Sequence, residues 1–140
     1  MEINPLNIFT LSVMNSSRLR FTFRKYERIR KEKEIMLVIS QGKKLFLDGF
    51  LMYVLPRAEQ YKFSRLGVLV SNKVEKKAVV RNKFKRRIRE IFRLNKYKIK
   101  FPLDIVVIAT KVTVGKKYKE LENMFLSALR SAGFLKEETL

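Results

Sequence analysis

The sequence has 140 residues, enough for one compact domain with a true hydrophobic core and too few for a second of similar size. Its 32 Lys and Arg against 13 Asp and Glu give a formal net charge of +19, which in a compact domain calls for an anionic partner, nucleic acid foremost. Cysteine and histidine are both absent, which excludes disulfides, thiolate nucleophiles, Cys-type zinc sites and His-based acid–base catalysis.

Residues 1–17, MEINPLNIFTLSVMNSS, carry Glu2 as their one charge and lack the positive start of a secretory signal, so they predict a poorly ordered extension ahead of the domain. Arg18 to Lys33 is dense in positive charge, with Phe21, Phe23, Tyr26 and Ile29 interleaved, and reads as a basic arm entering the domain. Glu34 to Gln41 predicts a short helix closed by Gly42, whose freedom at positive φ suits the residue after a helix. Lys43–Leu47 and Phe50–Leu55 are apolar runs joined by Asp48-Gly49, a hairpin signal, and Pro56 ends the second run. After a polar connection, the nearly continuous apolar run Leu66–Ser71 predicts a buried strand.

The next helix, predicted over Ala78–Asn95, sorts into two chemistries. At about 100° per residue, Val80, Phe84, Ile88 and Ile91 share a narrow apolar sector, with Phe92 at its margin. Asn82, Arg86, Arg89 and Arg93 line the opposite side, flanked by Arg81, Lys83 and Lys85. Residues 76–100 hold twelve Lys and Arg against Glu90 alone, whereas a merely solvated helix face mixes signs at i and i+4. The ridge therefore reads as a phosphate-binding surface. For Asn82 two roles stand side by side, a polar contact to the anionic partner and a helix cap.

Asp104–Thr110, DIVVIAT, predicts the fourth strand, after a basic loop containing Pro102. Lys116–Ala132 predicts an amphipathic helix with Tyr118, Leu121, Phe125, Ala128 and Leu129 on one stripe, ending at Gly133. The order is α-β-β-β-α-β-α: a single α+β domain over 18–134, with a four-stranded mixed sheet packed with helices, followed by a tail at 135–140. The acidic residues are scattered or embedded in basic runs, so no catalytic or metal-binding group made of protein is expected. No segment approaches the roughly 20 apolar residues of a membrane span.

Arg81-Asn82-Lys83, followed by Lys85-Arg86 and Arg89-Glu90, resembles the signature of the bacterial ribonuclease P protein subunit, an Arg-Asn-Arg-type motif opening a basic helix. Arg28 to Gly42, the Tyr53-bearing strand, the Leu66-Gly67 strand, DIVVIAT and the last helix fall in the family's order, so the resemblance spans residues 24–134. It implies a fold like the second domain of ribosomal protein S5, with a left-handed crossover through the motif helix, against the ordinary handedness rule. It also implies a cytoplasmic protein, one copy per RNA, that binds the catalytic RNA and the 5′ leader of precursor tRNA and promotes magnesium-dependent removal of that leader. The magnesium ions and the chemistry would belong to the RNA.

By position in the motif, the resemblance assigns Arg81, Asn82, Lys83, Lys85, Arg86, Arg89 and Arg93 to the catalytic RNA, and Ile35, Ile39 and Tyr53 to a cleft for the leader. Three departures qualify it. Lys83 replaces a frequent third Arg and loses its bidentate fork. Ile35 and Ile39 stand where relatives commonly carry Phe, which removes stacking on leader bases and leaves a core role and a cleft-wall role equally open. Val74-Glu75-Lys76-Lys77 replaces a Gly-containing connection. Tyr53 is either an RNA contact or an ordinary strand residue. Competing readings are a ribosomal or ribosome-assembly protein, which the implied fold also fits, and an autonomous nuclease or a membrane-surface protein, both of which the composition disfavours.

Overall fold

A computed structural model describes residues 22–136; the predicted extension 1–17, the start of the basic arm and residues 137–140 of the tail lie outside the described residues. Asp48 (φ 51°) and Gly49 (φ 86°) both take the positive φ that a tight two-residue hairpin requires. They join β1 (Lys43–Leu47) to β2 (Phe50–Pro56) in antiparallel register from Leu47–Phe50 to Lys43–Val54. β2 pairs antiparallel with β4 (Leu103–Ile108), and β4 pairs in parallel with β3 (Arg65–Leu69), giving the sheet order β1-β2-β4-β3. Between the adjacent parallel strands β3 and β4 runs α2 (Ala78–Asn95), with the bounds that its sequence period predicts.

Side-chain alternation gives the sheet two unlike faces. Phe50, Met52 and Val54 of β2, Leu66 of β3 and Leu103, Ile105 and Val107 of β4 point into the main core. There they meet Phe84, Ile88, Ile91 and Phe92 of α2 and Leu121, Phe125, Ala128 and Leu129 of α3 (Tyr118–Ser131). Phe92 is fully buried rather than marginal, and Val80 is half-buried. The other face is covered only in part, by α1 (Glu32–Gln41), under which Ile29, Val38 and Val106 are buried.

Several local expectations change. The Leu66–Ser71 run is not a doubly buried strand; β3 ends at Leu69 and lies at the sheet edge. The segment before α1 shields that edge, with Arg28 bridging to Leu66 and the Ile29 N–H donating to the Leu66 carbonyl at 2.9 Å. Gly42 has φ −82°, so left-handed freedom is not its reason. A Cβ there would collide with the Val38 carbonyl oxygen and stand 2.9 Å from that of Val54, so glycine is required by contact.

The described part of the basic arm is folded rather than loose. Phe23 packs edge-on against Phe92 at 5.5 Å, and Glu27, 3 % exposed, pairs with Lys96 while accepting the Arg24 N–H. Nor does the tail begin at 135: Leu135 is buried and bridges to Ile99, and the Lys136 N–H donates to the Lys98 carbonyl at 2.8 Å.

Candidate RNA interface

The cationic ridge on α2 is three environments rather than one. Asn82, Lys83 and Arg86 are exposed, with Lys85 beside them half-buried. Because the helix starts at Ala78, Asn82 sits in its second turn, past the unpaired N–H groups of the first; it is not a cap, and its amide faces solvent. Arg81 and Arg93 are engaged within the protein. Arg81 Nη1 donates to the Glu75 and Lys76 carbonyls at 2.9 and 2.8 Å, tying down the connection that departs from the family pattern. Arg93 is held by Glu90, Nε to Oε1 at 3.0 Å; the same hydrogen bond raises the Arg93 pKa and lowers that of Glu90.

Arg89 differs again. It is half-buried, turned toward the sheet, and lines a recess of about 260 Å³ with Arg28, Arg30, Ile35, Gly67 and Leu69. Burial lowers its pKa first, and the neighbouring Arg28 and Arg30 cations lower it further.

The structure brings Ile35, Ile39 and Tyr53 together around the buried patch of Ile29, Val38 and Val106, all three half-buried. Strand register explains the grouping. Lys44, Tyr53, Val106 and Gly67 form one cross-strand row; Phe46, Leu51, Ile108 and Leu69 form the next. α1 packs over Val106, leaving the second row half-open, and Phe46 at its end is 61 % exposed. Phe46 and Leu51 escaped the sequence reading. Their alternation with Leu45 and Met52, which face the core, is the signal that would have found them.

A third row, Leu55, Asp104 and Arg65, fixes the geometry of this face. Arg65 donates bidentately to Asp104, Nε to Oδ1 at 2.8 Å and Nη2 to Oδ2 at 2.9 Å, and reaches Glu34 on α1 at 3.4 Å. These hydrogen bonds raise the Arg65 pKa well above its ordinary value. Arg57 approaches Asp104 less closely, at 3.3 Å, so burial outweighs the attraction and lowers its pKa; its guanidinium also stacks on Tyr61 at 3.9 Å. The network joins α1, β3 and β4, with Glu34 lying 31 residues from Arg65 and Asp104 lying 39 from it, separations no local pattern reports.

A sequence profile of the ribonuclease P family matches residues 23–133, which includes every residue placed above in the ridge, the recess and the apolar rows. The chain belongs to the ribonuclease P protein family. The ribonuclease P protein component of Clostridium botulinum (strain 657 / Type Ba4) is 42 % identical over 110 residues, covering 78 % of this chain and 96 % of that one. That of Geobacillus sp. (strain WCH70) is 40 % identical over 115 residues, covering 82 % and 97 %.

Among solved structures, the Staphylococcus aureus RNase P protein aligns with a TM-score of 0.69 at 30 % identity, covering 79 % of this chain and 98 % of that one. The Thermotoga maritima RNase P protein aligns at 0.66 and 34 %, covering 75 % and 96 %. The family carries a role in tRNA 5′ processing as the protein component of an endoribonuclease, working with the ribonuclease P RNA on a tRNA substrate. Among the described residues, no helix is long and apolar enough to cross a membrane, and no group of His, Cys, Asp and Glu is placed to hold a metal ion.

Proposed function

We propose that the open face of α2 binds the catalytic RNA and that the half-covered sheet face beside α1 receives the 5′ leader of precursor tRNA in the cytoplasm. One observation carries the reading: a helix locked to the core by Phe84, Ile88, Ile91 and Phe92 presents Asn82, Lys83, Lys85 and Arg86 outward without a carboxylate among them. Arg81 shapes the approach through the loop it braces, and Arg93 contributes at the far end beside Glu90. Ile35, Ile39 and Tyr53 supply apolar and aromatic surface for unstacked bases.

Positioning is the protein's contribution in this reading. Magnesium ions held by RNA and substrate phosphates supply the chemistry in this reading, and among the described residues no group of carboxylates is placed to hold such an ion. The test is reconstitution, one protein to one RNA, with the cognate catalytic RNA. Added protein lowers the magnesium needed for precursor cleavage; no change in that requirement sinks the proposal. Arg86→Ala weakens assembly with the catalytic RNA and flattens the logarithmic salt dependence by about 0.9 for one lost phosphate contact.

A further inference from the structure

Arg28, Arg30 and Arg89 reach one recess from two elements far apart in sequence. The extended segment before α1 is pinned to β3 by the Arg28–Leu66 bridge and the Ile29 hydrogen bond, which sets residues 28 and 30 beside the strand. Arg89 enters from α2. The Arg28 guanidinium lies over the Phe23 ring at 4.8 Å, which restrains its direction.

Three other arginines of this domain have acceptors within the protein: Asp104 and Glu34 for Arg65, Glu90 for Arg93, two carbonyls for Arg81. No carboxylate of the described residues lines this recess, although Arg89 is half-buried and the other two cations crowd it. A half-buried guanidinium flanked by two exposed ones, with no counter-charge lining the recess, raises the free energy of the unbound protein, and an entering anion relieves both the repulsion among the three and the lost hydration of Arg89.

We propose that Arg28, Arg30 and Arg89 form a clamp for one phosphodiester of the 5′ leader. Arg89 thereby moves from the catalytic-RNA face, where the motif places it, to the substrate face. Continuity decides between the two RNAs. The walls of the recess are Ile35 and Leu69, and Leu69 ends the open row that begins at Phe46 and passes Leu51 and Ile108. At the sheet's spacing of about 4.8 Å per strand that row runs roughly 14 Å, with Lys44 near its β1 end and the three arginines at its β3 end. An RNA strand whose bases lie on the apolar row has its backbone delivered to the cations. The clamp rests on the reading that this face receives the leader.

The test uses the holoenzyme reconstituted with the cognate catalytic RNA and two precursor tRNAs, one with a long leader and one with a single leader nucleotide. Dissociation constants are measured for both substrates, and separately for the catalytic RNA, with the natural protein, Arg30→Ala, Arg30→Glu and, as a charge control on the opposite face, Lys119→Glu. Arg30 is exposed, so the variants fold, which thermal unfolding verifies.

The preference for the long leader falls about tenfold in Arg30→Glu, less in Arg30→Ala and not in Lys119→Glu, and the salt slope for the long-leader substrate drops by about 0.7. An unchanged leader preference in Arg30→Glu overturns the clamp, as does weakened catalytic-RNA binding with that preference intact. A natural protein that shows no leader preference overturns the leader reading itself.

Discussion

Replacing Asp104 by Asn keeps the shape of the side chain but removes the charge and half the acceptor capacity on which Arg65 depends. Asp104 is 8 % exposed and the Arg65 side chain 17 %, so water replaces little of what is lost. Charge-assisted hydrogen bonds contribute about 1.5–3 kcal/mol each, and stranding one partner of a buried pair costs about 3–5 kcal/mol. Glu34 remains 3.4 Å from Arg65 and recovers part of the deficit, while Arg57 keeps the Phe63 carbonyl at 2.9 Å. A net loss of about 3 kcal/mol follows, and at about 4 °C per kcal/mol for a domain of this size the melting temperature falls by roughly 12 °C.

Thermal and urea unfolding of Asp104→Asn measure it, with the double variant Arg65→Met/Asp104→Leu as the diagnostic partner. If stranded charge is the cause, the double variant recovers much of the loss, because a buried pair is often replaceable by apolar side chains of similar volume. A single variant within about 3 °C of the natural protein refutes the reasoning, as does a double variant no better than the single one.

Gly42→Ala lowers stability by about 1–3 kcal/mol through overlap with the Val38 and Val54 carbonyls. Gly42→Asn does no better; a rescue by Asn, which tolerates positive φ, would show that conformation rather than contact selects glycine. Glu122 gives an acid limb. Its pKa is lowered, chiefly by the hydrogen bond from the buried Asn95 amide at 2.9 Å. The resulting stability is present above the ordinary glutamate value of about 4.3 and is lost as pH falls from there through the lowered value. The stability gap between the natural protein and Glu122→Gln therefore narrows below about pH 4.3, and a gap that stays constant down to pH 2.5 counts against the assignment.

Much of the architecture is local, and local physics is written in residue order. Two left-handed residues at Asp48-Gly49 predicted the hairpin, and the 3.6-residue period placed α2 at its observed bounds. The sequence was less informative where an interaction joins distant segments. Leu66–Ser71 has the composition of a central strand and sits at an edge, because an apolar run does not tell which neighbours will pair with it. Leu135 looked like the start of a tail and is held by Ile99, 36 residues earlier. Glycine at 42 was legible as necessary, but its reason was contact with the Val38 and Val54 carbonyls rather than left-handed freedom.

The candidate site divides in the same way. A helical projection depends on one element alone, so the apolar and cationic sides of α2, and the family to which its motif belongs, were determined by the sequence. What each cation faces depends on partners brought close by folding. Arg81 turns to its own loop, Arg93 to Glu90, Arg89 to Arg28 and Arg30, and Asn82, Lys83 and Arg86 to solvent. The tertiary structure alone decided that division, because the position of a guanidinium around a helix is set by residue spacing, whereas its neighbours are set by sheet order and by the path of a segment 60 residues away.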